Sequence, residues 1–289
     1  MNLIIQNNTL TARFSSKGAE LQSLRNNDRE FIWEGKPSVW GKHSPVLFPI
    51  VGTLKNNQFE YNGKSYPLSR HGFARDMEFK VTDHGHSSIT FLLESTSGTL
   101  EVYPFYFKLY ITYTLENHSL NIQYKVVNKN DFPMYFSIGA HPAFALPQLF
   151  EAYEIEFEHE NPEYHLLDQN LLSDKIKQLL LNDKRLLLNY DLFKDDALVF
   201  LSTPSKTITI IENSNTLLKV HFDDFPDLGI WTKLEAPFIC IEPWFGFADH
   251  ITTSSLLKDK KNILTLNKYA TFESEFIIEI LNPSHNVNY

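Results

Sequence analysis

The chain has 289 residues, of which 43% are hydrophobic and 21% are charged, so it has the composition of a globular protein that can bury a large core. Its net charge of -9 argues against nucleic acids and anionic membranes as partners, because both are bound by basic surfaces. An aromatic content of 14% favours β-structure or a surface that binds rings.

The only cysteine and the lack of long apolar segments predict the compartment. Cys240 cannot form a disulfide within the chain, and its apolar neighbours Ile239 and Ile241 predict a buried thiol. The first residues lack a basic leader followed by an apolar core, and no apolar run approaches the roughly 20 residues that span a bilayer. We therefore expect a cytoplasmic protein whose partner is a neutral or mildly charged small molecule.

Short apolar and β-branched runs separated by turn residues predict strands along the whole chain. Asn62-Gly63 between two such segments predicts a hairpin, and Asn117-His118 predicts another. In chain order, the predicted strands cover residues 3–5, 88–93, 105–115, 120–127, 197–201, 207–211, 217–222 and 276–281.

Helical patterning is scarce. The stretch 173–181 favours two helical turns, 190–194 favours one, and the polar stretch 158–168 is typical of a surface loop. No internal repeat and no long Pro/Gly/Ser linker divides the chain. The sequence therefore predicts an all-β fold in one domain, residues 1–289, with antiparallel strands in a large β-sandwich and few short helices.

The segment 237–246 is typical of a buried strand, apart from the carboxylate of Glu242. Because residues two apart in a strand share a face, Glu242 is predicted to face the same side as Cys240 and Trp244. Desolvation there would raise the pKa of the carboxyl and make it a better general base near neutral pH. A structural ion pair with Arg75 or Lys233 is the alternative interpretation.

Two histidines lie where the chain interrupts regular structure. His141 precedes Pro142, which ends strand pairing and places the imidazole at a strand end, and His71 precedes Gly72, which permits a sharp turn. His141 is then either a proton donor or a core histidine that caps a strand. No H-x-H or H-x-x-x-H spacing joins the histidines, so the sequence predicts no metal site.

Four segments, in order and across nearly the whole chain, match one known family. They are Ser44-Pro-Val-Leu-Phe-Pro-Ile-Val-Gly52, His71-Gly-Phe-Ala-Arg-Asp76, Ser137-Ile-Gly-Ala-His-Pro-Ala-Phe144, and Gly229-Ile-Trp-Thr-Lys233 leading into Ile241-Glu-Pro-Trp244. Together they resemble the aldose 1-epimerase (galactose mutarotase-like) family, and more closely its bacterial mutarotase-related branch.

The resemblance implies a β-supersandwich, no cofactor, and interconversion of the α and β anomers of a free aldose. By motif, Glu242 corresponds to the general base that takes the proton of the anomeric hydroxyl. His141 corresponds to the general acid that protonates the ring oxygen. This assignment requires both side chains to face one cavity, far enough apart to admit a pyranose ring.

The resemblance also implies residues that bind the sugar. His71 matches a substrate-binding histidine of the family, and Arg75 belongs to the branch's His-Gly-Phe-Ala-Arg-Asp pattern. Asp196 matches the aspartate that binds sugar hydroxyls, although the adjacent Asp195 leaves the register open. The expected partner is a small-molecule sugar, bound by a monomer or homodimer.

Two further side chains complete the predicted binding set. Trp231 is expected to stack on the apolar face of a sugar ring. Many relatives carry arginine just after the glycine of the Phe-Pro-Ile-Val-Gly segment, whereas this chain has Thr53, with Lys55 two positions on. Lys55 is therefore the predicted substitute, and lysine cannot reproduce the bidentate contacts of arginine.

Two alternative functions follow from the same residues. A hexose-phosphate epimerase would need a basic cluster, for which Arg70, Arg75, Lys55 and Lys233 are available, although the acidic overall charge disfavours it. A non-catalytic carbohydrate-binding protein would not need the acid and base pair. The sequence favours an isomerase that acts on a free hexose.

Overall fold

The computed structural model describes residues 3–26 and 29–281. Its α-helix α1 spans Ser97–Val102, and 3-10 helices span Lys55–Asn57, Ala74–Asp76, Phe150–Ala152, Tyr190–Phe193 and Leu257–Asp259. The strands are β1 Leu3–Gln6, β2 Thr11–Phe14, β3 Leu21–Asn26, β4 Arg29–Glu30, β5 Val46–Leu47, β6 Gln58–Tyr61, β7 Lys64–Pro67, β8 Lys80–His84, β9 Ser88–Glu94, β10 Phe107–Glu116, β11 Ser119–Asn128, β12 Met134–Phe136, β13 Ile138–Ala140, β14 Ala143–Ala145, β15 Tyr153–Phe157, β16 Glu163–Asp168, β17 Leu171–Gln178, β18 Arg185–Leu187, β19 Leu198–Phe200, β20 Thr207–Glu212, β21 Asn215–His221, β22 Asp227–Trp231, β23 Phe238–Phe245, β24 Leu264–Leu266 and β25 Thr271–Ile280.

Two large antiparallel sheets dominate the fold. The nine-stranded sheet has the order β18-β15-β20-β21-β25-β11-β10-β9-β8, and the eight-stranded sheet has the order β17-β16-β19-β22-β23-β13-β5, with β14 also paired to β23. A four-stranded sheet of β1 to β4 and the two-stranded sheets β6-β7 and β12-β24 complete the pairing. The all-β, antiparallel prediction is confirmed.

The main core lies between the two large sheets. Strand β10 alternates buried and half-buried residues, and its buried side chains Leu109 and Ile111 belong to the same hydrophobic cluster as Ile239 and Ile241 of β23. Burying these apolar surfaces is the main stabilising contribution to such a sandwich. Strand β23 is buried on both faces, which explains its nearly continuous apolar sequence.

The structure confirms each predicted strand to within five residues at its ends, both predicted hairpins, and the helical turn near residue 190. The helix predicted over 173–181 is wrong, because residues 171–178 form β17, and residues 163–168 of the predicted loop form β16 beside it. Most side chains of β17 are exposed, so backbone pairing rather than side-chain burial determines its conformation, and hydrophobic periodicity does not report it.

Among residues 3–26 and 29–281, no helix is both long and apolar enough to cross a membrane.

Candidate active site

Glu242 lies on β23, the strand between β22 and β13. Both neighbours carry glycine where the indole of Trp244 packs: an added Cβ would lie 2.3 Å from that ring at Gly229 and 2.6 Å at Gly139. Gly229 also pairs directly with Glu242. Because any larger residue would collide with the indole, the two glycines allow the packing that holds β23 in place beside Glu242.

The predicted orientation of β23 is confirmed. Cys240 and Trp244 belong to smaller hydrophobic clusters on one face, whereas Ile239 and Ile241 belong to the main core on the other. Cys240 is fully buried, and burial raises the pKa of its thiol well above the usual value, in keeping with the expected unreactive thiol.

Glu242 faces a cavity of about 610 Å³. This volume lies within the range of small-molecule sites and accommodates a monosaccharide. Lys55 is not among the cavity-lining residues. The other predicted site residues all line the cavity, namely His71, Arg75, His141, Asp196, Trp231 and Glu242.

His141 and Glu242 form a buried pair in the cavity wall. Their residues are 8% and 2% exposed, and His141 Nε2 lies 3.4 Å from Glu242 Oε1. Neither predicted structural partner of Glu242 contacts it: Arg75 and Lys233 donate hydrogen bonds to backbone carbonyl oxygens instead. The structural ion pair considered for Glu242 is therefore absent from the described part of the chain.

Burial controls the protonation of this pair. Desolvation, followed by the charge of Arg70, lowers the pKa of His141 to about 3. Desolvation raises the pKa of Glu242 well above its usual value, although Arg70 opposes that shift. The two shifts together favour a pair that holds one proton on the carboxyl beside a neutral imidazole.

The pair does not have the separation expected from the sequence. At 3.4 Å, no pyranose ring fits between Glu242 and His141. The anomeric hydroxyl oxygen and the ring oxygen of an aldose are, however, bonded to the same carbon, so an acid and a base that act on them do not need to lie on opposite sides of the ring. A sugar can present this edge to both groups from the cavity.

An aromatic wall surrounds His141. Trp40 stacks on the imidazole at a centroid distance of 5.2 Å, and Trp231 contacts the same ring edge-on at 5.7 Å. The two indoles also contact each other at 5.7 Å. No local sequence pattern marks Trp40 as a site residue, because its partners are distant in the chain.

His71 is held in place by its neighbours. Its backbone φ is 66°. The Gly52 N–H donates a hydrogen bond to His71 Nδ1 at 3.1 Å, and Arg70 Nε donates one to His71 Nε2 at 3.1 Å. Burial and Arg70 lower the pKa of His71 well below its usual value, so the ring is neutral. A neutral imidazole has one acceptor nitrogen, so it can accept from only one of these two donors at a time. When a ligand displaces Arg70, Nδ1 accepts from the Gly52 N–H and Nε2–H donates to the ligand.

Arginine and lysine side chains line much of the cavity. Arg70 Nη1 donates to Asn170 Oδ1 at 2.8 Å, and Arg75 Nη2 donates to the Arg70 carbonyl oxygen at 2.8 Å. The four cationic lining residues, Arg70, Arg75, Lys194 and Lys233, face two carboxyls, Asp196 and Glu242. The cavity is thus more basic than the acidic chain as a whole, and Arg70 is one of its lining residues.

The structure separates the two adjacent aspartates that the sequence left open. Asp196 lines the cavity and its Oδ1 accepts a hydrogen bond from the Ala197 N–H at 2.8 Å. Asp195 points elsewhere and pairs with Lys177 at 3.4 Å. Only Asp196 is therefore placed to bind a ligand in the cavity.

A buried ion pair supports the part of the cavity wall formed by Phe247 and Ala248. Lys260 Nζ donates to Asp249 Oδ1 and to the Phe247 carbonyl oxygen, both at 2.7 Å, and both charged residues are 5% exposed. Asp249 Oδ2 also accepts the backbone N–H of Lys55 at 2.9 Å. Lys55 is thus linked to this wall by its backbone, while its side chain lies outside the cavity.

Three potential metal ligands converge beside the cavity. One ligand atom each from His141, Cys240 and Glu242 lies within 4.8 Å of the other two. Spacing along the chain predicts no metal site here, because the three residues do not form a local ligand pattern. Two residues of β23 and one from the loop after β13 come together only in the folded sheet.

Comparison with known proteins places these features in context. A family model described as Aldose 1-epimerase matches residues 1–255. A galactose mutarotase related enzyme from Lactobacillus acidophilus is 36% identical, with 98% of each chain covered and a TM-score of 0.93. A galactose mutarotase-like protein from Lactobacillus casei is 29% identical, with 97% of this chain and 100% of that chain covered and a TM-score of 0.91. Protein LacX, chromosomal, from Lactococcus lactis is 33% identical over 303 residues, which cover 98% of this chain and all of LacX.

Proposed function

Because this chain belongs to the aldose 1-epimerase family, we propose that it interconverts the α and β anomers of a free hexose, without a cofactor, by acid/base ring opening and reclosure. One observation supports this proposal above the others. Glu242 and His141 are both buried, face the same sugar-sized cavity, and have their pKa values moved in opposite directions by desolvation. Opposite shifts in one cavity are typical of groups that exchange a proton with a substrate.

In the proposed reaction, Glu242 takes the proton from the anomeric hydroxyl as the bond between C1 and the ring oxygen breaks. His141 gives its proton to the ring oxygen, and the products are the open-chain aldehyde, protonated Glu242 and neutral His141. Rotation about the bond between C1 and C2 exposes the other face of the aldehyde. Reclosure with the roles of the two residues reversed returns both protons and yields the other anomer.

Glu242 and His141 together hold a single proton in this cycle. That proton moves from one residue to the other as a sugar binds. The opposite pKa shifts favour the proton on Glu242 in the empty cavity, whereas ring opening in the proposed direction begins with the proton on His141. The 3.4 Å contact between Nε2 and Oε1 lets it pass between the two groups after a small movement. The two groups therefore titrate as a unit.

The remaining cavity residues have roles that their chemistry suggests. His71 Nε2–H donates to a hydroxyl, Asp196 accepts from one or two hydroxyls, and the Trp231 indole covers the apolar face of the sugar. Arg70 and Arg75 supply further donors. These groups would orient the anomeric carbon toward Glu242 and His141. Holding the reacting groups in the correct geometry lowers the barrier to proton transfer.

Anomer exchange measured by NMR tests the proposal. The protein is mixed with glucose, galactose and other free aldoses in low-phosphate buffer, because phosphate itself catalyses mutarotation. We expect faster exchange than in buffer, and a loss of about 100- to 10,000-fold in Glu242→Gln and His141→Asn. If folded wild-type protein accelerates none of the aldoses, free-hexose mutarotation is excluded, and a sugar that binds without exchange would indicate a carbohydrate-binding protein.

The basic lining of the cavity supports a second candidate, mutarotation of a hexose phosphate. Arg70 and Arg75 lie on one side of the cavity, and Arg75 Nε is buried without a hydrogen-bond partner. Guanidinium groups bind phosphate in a bidentate manner. A preference of at least about tenfold in kcat/KM for a hexose 6-phosphate over the free hexose, reduced by Arg75→Gln, would favour this candidate.

A further inference from the structure

His141, Cys240 and Glu242 present three different donor atoms to one point at the edge of the cavity. Their ligand atoms, an imidazole nitrogen, a thiol sulfur and a carboxylate oxygen, lie within 4.8 Å of one another. The three residues are at most 8% exposed. Nitrogen, sulfur and carboxylate oxygen are the donors that zinc sites use.

The distances suit a tetrahedral centre. Two ligand atoms each about 2.1 Å from a zinc ion stand about 3.4 Å apart at the tetrahedral angle. His141 Nε2 and Glu242 Oε1 are 3.4 Å apart. A sulfur ligand at about 2.3 Å would stand about 3.6 Å from either atom, so small rotations of the side chains bring Cys240 into range.

Two of the three ligand atoms already contact each other, His141 Nε2 and Glu242 Oε1, and Cys240 is a free buried thiol. The other carboxyl oxygen, Glu242 Oε2, is buried without a hydrogen-bond partner. A cation bound by both carboxyl oxygens would satisfy Oε2, and unsatisfied buried polar atoms are costly. Metal binding would release the proton of the Cys240 thiol and the proton held by His141 and Glu242, and the resulting thiolate and carboxylate would supply two negative charges to match a divalent cation despite the nearby Arg70 and Arg75.

We propose that His141, Cys240 and Glu242 form a binding site for one thiophilic divalent cation of the Zn²⁺ type, with its fourth coordination position open to the cavity. The cation would occupy both groups assigned to proton transfer, and it would exclude the anomeric centre of a sugar. Zinc is therefore a competitive inhibitor of anomer exchange, and this second part depends on the proposed function.

Metal binding is tested without reference to activity. Titration of the full chain with ZnCl₂ by calorimetry, in buffer free of phosphate and thiols, is expected to show one tight site. Titration with CoCl₂ is expected to produce the near-ultraviolet charge-transfer absorption of a thiolate bound to cobalt. Cys240→Ala should abolish that absorption and weaken zinc binding at least about 100-fold.

Two further variants make the test decisive. Cys240→Ser preserves the size of the side chain and should also lose the cobalt absorption, with folding checked by circular dichroism. His250→Asn removes a half-buried histidine that contacts Asp174 at 3.1 Å and lies outside the proposed metal site, and it should leave the tight site unchanged. Equal zinc affinity in wild type and Cys240→Ala, or cobalt binding without a thiolate band, would overturn the proposal.

Inhibition is measured by the same NMR exchange assay. Zinc should raise the apparent KM for the sugar, and a chelator should restore it. Cys240 does not line the cavity, so Cys240→Ala should retain exchange while losing most of its sensitivity to zinc. If the wild type exchanges no sugar at all, the proposed function fails, while calorimetry and the cobalt spectrum still decide the metal site.

Discussion

Replacing Gly229 by alanine tests how the sheet positions Glu242. The added Cβ would lie 2.3 Å from the Trp244 ring, and ordinary contact begins at 3.4 Å, so the indole or strand β22 must move by about 1 Å. Both are rigid, because the ring is nearly buried and Gly229 pairs directly with Glu242. Overpacking of this kind costs about 1–3 kcal/mol of unfolding free energy.

A displacement of about 1 Å at β23 should also misalign the carboxylate and slow anomer exchange about 100-fold. Urea unfolding gives the change in stability, and NMR exchange at saturating sugar gives the change in rate. Both losses should occur together in Gly229→Ala, because one steric contact causes both.

Gly98→Ala is the matched control. An added Cβ there meets only Thr96 Oγ1 at 3.8 Å, and the residue lies in helix α1, away from the cavity. It should lose neither stability nor rate. If Gly229→Ala keeps an exchange rate within about twofold of wild type and an unfolding free energy within about 0.4 kcal/mol of it, the packing of Trp244 does not position Glu242.

Three further predictions concern the pair, the aromatic wall and the buried ion pair. The exchange rate should not change around pH 6.5, the usual pKa of histidine, because the pKa of His141 is lowered to about 3. The rate should fall at alkaline pH, where the pair loses the proton that the raised pKa of Glu242 retains. A loss of rate centred on pH 6.5 as the pH is lowered in the NMR assay would contradict this prediction. Trp231→Ala should raise KM by about tenfold or less in the same assay while leaving kcat nearly unchanged, because stacking contributes about 0.5–1.5 kcal/mol to binding; a loss in kcat alone would show that Trp231 acts on the chemistry. Lys260→Met should lower the unfolding free energy by about 3–5 kcal/mol in urea, because it leaves the buried carboxylate of Asp249 unpaired, and Asp249→Asn added to it should recover part of that loss.

Local sequence patterns were sufficient for much of the fold. Period-two alternation predicted the long strands, because one face of each packs on the core and the other does not. The Asn62-Gly63 turn fixed its hairpin through backbone conformation alone. The same reasoning failed at β16 and β17, because this hairpin pairs through its backbone and its mostly half-buried or exposed side chains do not alternate between buried and exposed positions.

In the candidate active site, too, some features follow from the sequence and others only from the tertiary structure. The sequence by itself determined that Glu242 faces the side of Cys240 and Trp244, because strand geometry fixes side-chain alternation, and motif resemblance identified His141. Only the tertiary structure decided that His141 lies 3.4 Å from Glu242, that Trp40 stacks beside it, and that Lys55 lies outside the cavity. Spacing along the chain does not contain these distances, because they are set by the pairing and packing of strands that are far apart in sequence.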